Sequence, residues 1–153
     1  MPSYSLRTAH YPLHNEADRA KIVKLIVELT LGNPLTVTIE GERNQRSIRQ
    51  NKTQRMWIKE IAQQLGDQSE EEVRGYCKLT IGVPILRAEN DEFRERYDKI
   101  VRPLPYDQKL ALMMEPFDMP VTRIMTTKQH AKYLDEIQRH FAEQGVILTQ
   151  PGG

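Results

Sequence analysis

Three times along this chain a hydroxyl residue stands three places before a glutamate or glutamine at the head of an apolar run: Ser47 with Gln50, Ser69 with Glu72, and Thr126 with Gln129. That spacing is a capping box, in which the two side chains satisfy backbone N–H groups left without partners at a helix start. No other feature constrains the fold as much, because three such starts commit much of the chain to helix. The pattern predicts a helix from Ile48 to Leu65, ending at Gly66, and another after Ser69 through Val73, Tyr76 and Cys77, broken near Gly82 and Pro84. It predicts a third after Thr126, with Ala131, Leu134, Ile137 and Phe141 on one face and Gly145 at the position just beyond the end. Asn15 caps a further helix from Glu16 to about Leu31, whose apolar face is Ile22, Val23, Leu25, Ile26 and Leu29 and which Gly32-Asn33-Pro34 stops. Asn90 opens one holding Phe93, Tyr97, Ile100 and Val101, and Pro105 a short one holding Leu110 and Met113.

Strand signals are fewer. Leu35, Val37 and Ile39 alternate with Thr36, Thr38 and Glu40, the period of a half-buried strand. Ser3 to Arg7 and Val146 to Thr149 read as short strands near the two termini, and Pro116 with Pro120 predicts an extended crossing between Glu115 and Met125. With no repeat, linker or βαβ rhythm, the expectation is an α+β, helix-dominant fold. It consists of one domain over residues 1–153, with a small sheet from strands near the termini packed with several helices. Cys77 is the only cysteine, so no intramolecular disulfide and no zinc site built on two thiolates is possible, and a reducing, cytoplasmic compartment fits. No run approaches the ~20 apolar residues of a membrane helix, and Met1 to Arg7 lacks the layout of a secretory signal.

Charge is close to balanced overall, at +1, but unevenly laid out. Arg43, Arg46, Arg49, Lys52, Arg55 and Lys59 fall within 17 positions that contain no acid, whereas the other 136 residues hold 16 basic and 21 acidic side chains. An acidic body with one cationic segment points to a localised contact with a polyanion. Arg49, Lys52, Arg55 and Lys59 share one stripe of the predicted helix, and Gln50, Thr53, Trp57, Ile61 and Leu65 another. A helix start favours acids, so cations there cost about 0.3–1 kcal/mol each unless they serve an anion. Helix-end amides together with arginine and lysine are a ready phosphate site, and Gln50 and Asn51 are placed to reach sugars or base edges. The same run without function is a solvated face. Trp57 either stacks on a splayed base or anchors a core or subunit interface. Arg123 and Lys128, at the start of the last helix, are candidates for a minor phosphate contact, with pairing to Glu136 or a neighbouring subunit as the alternative.

Signals for catalysis are thin. His10 and His14 lack a third metal ligand at helical spacing; Cys77 has no nearby histidine to activate it; Glu115 and Asp118 are too few for a two-metal nuclease. There is no phosphate-cradling glycine loop and no nucleophile elbow. The expectation is a binding protein without a catalytic site, cofactor or metal, with a DNA-processing nuclease and a protein-interaction module gripping an acidic tail as the competing classes.

The words R-S-I-R-Q-N-K-T-Q-R-M-W (Arg46 to Trp57), preceded by V-T-I-E and R-N-Q and followed far downstream by L-D-E-I-Q (Leu134 to Gln138) and Gly145-Val146, resemble the phage and prophage NinB (Orf) family of recombination proteins. The resemblance implies a homodimer that binds single-stranded DNA without strong sequence preference. It further implies contact with the host single-strand-binding protein and help in loading a recombinase onto covered strands. Duplex DNA is a second candidate partner.

Overall fold

The computed structural model describes residues 9–32, 34–39 and 45–151, with the side chains of residues 45 and 46 outside that set. The chain divides into two compact units, the first ending at Arg43 and the second starting at Asn44. In the first, Asn15 caps α1 (Glu16–Glu28) by accepting the Asp18 N–H at 2.9 Å. None of its residues is buried, and Val23, Ile26 and Val27 are exposed.

The second unit holds six α-helices among the described residues: α2 (Gln45–Leu65), α3 (Glu70–Cys77), α4 (Val83–Glu89), α5 (Asp91–Ile100), α6 (Tyr106–Met113) and α7 (Thr127–Ala142). Two of the three capping boxes form as predicted. Ser69 and Glu72 exchange bonds of 3.1 and 3.3 Å at the head of α3, and Thr126 and Gln129 exchange bonds of 3.1 and 3.0 Å at the head of α7. The third does not. Because α2 begins at Gln45, Ser47 and Gln50 lie inside it and turn outward to the neighbouring helix, where Gln50 Nε2 donates to the Thr127 carbonyl at 3.0 Å and the Ser47 and Thr127 hydroxyls meet at 3.3 Å.

No β-strand occurs among the described residues, so the expected small sheet is absent and the architecture is helical. The segment 34–39 carries the alternation of a strand but has no ladder partner among the described residues, and Val37 and Ile39 stand exposed. Ser3 to Arg7 lies outside the described residues. The tail from Val146 keeps its alternation in another way: Val146 and Leu148 are buried, while the backbone of the residues between and after them bonds to side chains of α2. Gln64 takes both the N–H and the carbonyl of Ile147, at 2.8 and 2.6 Å. Glu60 accepts the Thr149 N–H at 3.1 Å, and the Trp57 indole donates to the Thr149 carbonyl at 2.7 Å. One helix face, at positions 57, 60 and 64, thus replaces the neighbouring strand.

The predicted break at Gly82 and Pro84 is also absent. A π-helical stretch, Lys78–Gly82, joins α3 to α4 without leaving helical backbone, as Lys78, Gly82 and Val83 are all right-handed. A helix running through proline loses one backbone bond and must clear the ring from a carbonyl in the preceding turn; a wider π turn there loosens the spiral. This composite helix is central. Cys77, Ile81 and Ile85 face a cluster with Trp57, Ile61, Tyr133, Ile137 and Phe141, while Leu79, Val83 and Leu86 face a second cluster with Tyr97, Met113 and Val121. Each such fully buried aliphatic side chain contributes about 1.5–3 kcal/mol.

The crossing segment after α6 lies against this helix at two glycines. A Cβ on Gly75 would sit 2.6 Å from Met114 Cγ, and one on Gly82 would sit 2.6 Å from Val121 Cγ1. Between them Lys78, almost wholly buried, donates to the Met113 carbonyl and to Asp118 Oδ1, both at 2.7 Å. Arg74 reaches the same Asp118 oxygen at 2.8 Å and holds Glu71, which in turn accepts the Glu115 N–H at 2.9 Å.

Candidate nucleic-acid interface

The buried face of α2 consists of Gln50, Thr53, Gln54, Trp57, Ile58, Ile61 and Ala62. With 3.6 residues per turn, Arg49, Lys52, Arg55 and Lys59 fall on the opposite side, and all four are exposed, as is Asn51 between them. From Arg49 to Lys59 the stripe is about 15 Å long, the length of roughly four stacked nucleotides. Arg43 and the Arg46 side chain lie outside the described residues.

The stripe differs in its pairing from most other cations of this unit. Arg74, Lys78, Arg87, Arg94, Arg96, Arg102, Lys132 and Arg139 each hold an acid within ion-pair distance. Among the described residues none of Arg49, Lys52, Arg55 and Lys59 does. The single acid of α2, Glu60, is turned to Thr149 and not to Lys59, its hydroxyl bond being 2.5 Å. Neither α2 nor α7 carries an acid in its first turn, and the two starts adjoin through Thr127, so two positive helix ends and the exposed Lys128 lie close to the Arg49 end of the stripe.

Two of the predicted contacts are placed elsewhere. Trp57 is 4% exposed, packed in the first core cluster with its N–H committed to the tail, and so belongs to the core and not to a stacking surface. Gln50 is 8% exposed and bonded to Thr127. In both cases the 3.6-residue period puts the side chain on the packed face, between cations that point outward. Arg123 is exposed in a 3₁₀ turn (Thr122–Ile124) and borders a separate small cleft with Arg74, Lys78 and Asp118. No motif marks Lys78 in the sequence. Its signal is a lysine within the otherwise uncharged, mostly apolar run Tyr76 to Ile85, where a buried charge is tolerated only with a partner.

No family model, curated protein or solved structure matches this chain.

Among the described residues no three of His, Cys, Asp or Glu converge as a metal site. Asp118 faces Lys78 and Arg74, and the hydrogen bond from Lys78, with that from Arg74 and the positive charge of both, lowers its carboxyl pKa despite partial burial. Burial alone pushes the Cys77 thiol up to about 12, so at neutral pH it is an un-ionised, packed side chain and a poor nucleophile. Among the described residues no helix is long and apolar enough to cross a membrane.

Proposed function

We propose that this chain is a non-catalytic, cytoplasmic protein that binds single-stranded DNA through the solvent face of α2. Arg49, Lys52, Arg55 and Lys59 hold phosphates, with Arg43 and Arg46, which precede them in the sequence, as further candidates; Asn51 reaches sugar or base, and Lys128 adds a contact at the helix junction. The observation that carries this reading is the set of four exposed, unpaired cations on one helix face in a unit whose other cations are mostly ion-paired. Such a face attracts a polyanion without reading its sequence, because phosphate contacts position a strand and base contacts specify it. The NinB-like words on the same helix support the narrower role of a recombination mediator, a homodimer working beside the host single-strand-binding protein on covered strands.

The test is a salt titration of binding to single-stranded and duplex DNA of equal length. Neutralising about six phosphates on a single strand gives a slope of log K against log salt near −4, a loss of roughly a few hundredfold between 50 and 200 mM. Arg49→Glu with Lys52→Glu lowers affinity with little change in thermal stability, since both side chains are exposed and unpaired. Unaltered affinity in that double variant rejects the interface. Capture of an acidic peptide in preference to DNA transfers the same face to protein partners, and metal-dependent cleavage of labelled DNA overturns the absence of catalysis.

A further inference from the structure

The buried ion lattice between α3 and the crossing segment is more than a clamp, because it opens on solvent. A cleft of about 120 Å³ is bordered by Arg74, Lys78, Asp118, Thr122 and Arg123. It exceeds what a single water needs and falls well short of the roughly 300–1,000 Å³ of pockets for larger organic ligands. Its donors are not exhausted. The Lys78 ammonium has three hydrogens, and two go to the Met113 carbonyl and Asp118. Arg74 spends Nε and Nη2 on Glu71 and Asp118 and leaves Nη1 over. Arg123 has no acid within ion-pair distance among the described residues. Three cations therefore border the cleft against one carboxylate, and a second carboxylate, Glu71, lies behind Arg74, so one positive charge is left unbalanced beside free N–H groups and the Thr122 hydroxyl. A π turn begins at Lys78 itself, a distortion that recurs at functional sites.

We propose that this cleft binds a small tetrahedral oxyanion, a phosphate group, held by Lys78, the Nη1 of Arg74 and Arg123. A divalent cation is disfavoured because Lys78 and Arg74 already occupy the one carboxylate that lines the cleft. The site uses none of the α2 cations and stands or falls independently of the α2 interface. Its phosphate comes either free from solution or as a monoester at the end of a nucleic-acid strand.

Thermal unfolding and calorimetric titration of the whole chain with inorganic phosphate, against chloride at equal ionic strength and pH, test the site. Phosphate raises the melting temperature where chloride does not. Arg123→Gln, which removes an exposed and unpaired side chain and leaves the Lys78–Asp118 lattice in place, weakens phosphate binding about tenfold or more. Arg49→Glu with Lys52→Glu leaves it unchanged. Competition of phosphate by a 5′-phosphorylated oligonucleotide and not by its hydroxyl-ended twin assigns the site to strand ends; competition by neither assigns it to free phosphate. No phosphate effect beyond that of chloride, or equal affinity in the Arg123→Gln variant, overturns the proposal.

Discussion

His130 is the side chain whose environment most directly sets a response to pH. It is 5% exposed, and its Nε2 meets Gln54 Oε1 at 2.7 Å, so the ring carries a proton there to donate to the amide carbonyl. Burial lowers its pKa from the ordinary 6.5. Above that value neither state is charged and His130 adds no pH dependence. As pH falls below it the unfolded chain takes up the proton first, so stability declines until the lowered value of the folded state is reached. Melting temperatures across this range should therefore fall in the wild type and fall less steeply in His130→Gln; equal slopes would refute the assignment. At Lys78 the asymmetry of burial decides the outcome. Removing the ammonium by Lys78→Met leaves Asp118 paired with Arg74, whereas Asp118→Asn leaves a desolvated lysine without a counter-charge. Urea unfolding should show the Asn variant losing about 2–4 kcal/mol, less than for a fully buried pair because Asp118 is 39% exposed, and the Met variant losing less.

At the scale of elements, the central helix shows how two glycines in similar positions carry different burdens. At Gly75 the obstacle to a Cβ is Met114, a half-buried and flexible side chain. At Gly82 it is Val121, 1% exposed, with the wholly buried Tyr133 ring at 3.3 Å. A stiff valine against a buried ring cannot yield, so Gly82→Ala should destabilise by about 1–3 kcal/mol through overpacking, and Gly75→Ala by clearly less. Denaturant midpoints of the two variants compare them directly, and equal loss would count against this account. The same contact explains why Gly82 does not end the helix. Its lack of a side chain serves close approach by the crossing segment, a use of glycine that looks identical to a break when the partner is unknown.

For the whole molecule, the remaining question is what covers its exposed apolar groups. Met113 and Phe141 are buried in the chain's own two clusters. Phe117, Ile100 and Ile124 in the second unit, and Val27 and Leu31 in the first, remain exposed. These large apolar groups are what a second copy would cover in the homodimer proposed above. Sedimentation equilibrium at micromolar concentration should return twice 17.8 kDa, and a monomer mass would remove the dimer from the proposal.

Helix starts at Asn15, Ser69, Asn90 and Thr126 were legible because a cap is a hydrogen bond between residues three apart, complete within the local sequence. The acid-free cationic run was legible for the same reason, and its exposure opposite the packed face followed from the helical period. Local pattern could not say whether Ser47 caps its own helix or reaches Thr127, 80 residues on, nor whether Val146 to Thr149 pairs with a strand or with Trp57, Glu60 and Gln64. Alternation tells which side chains are buried, but the backbone's hydrogen-bond partner lies elsewhere in the chain. Tertiary structure decided those pairings, and with them the absence of a sheet among the described residues. It also decided the burial of Trp57 and the joining of Lys78, Arg74 and Asp118, each of which depends on contacts between residues distant in sequence.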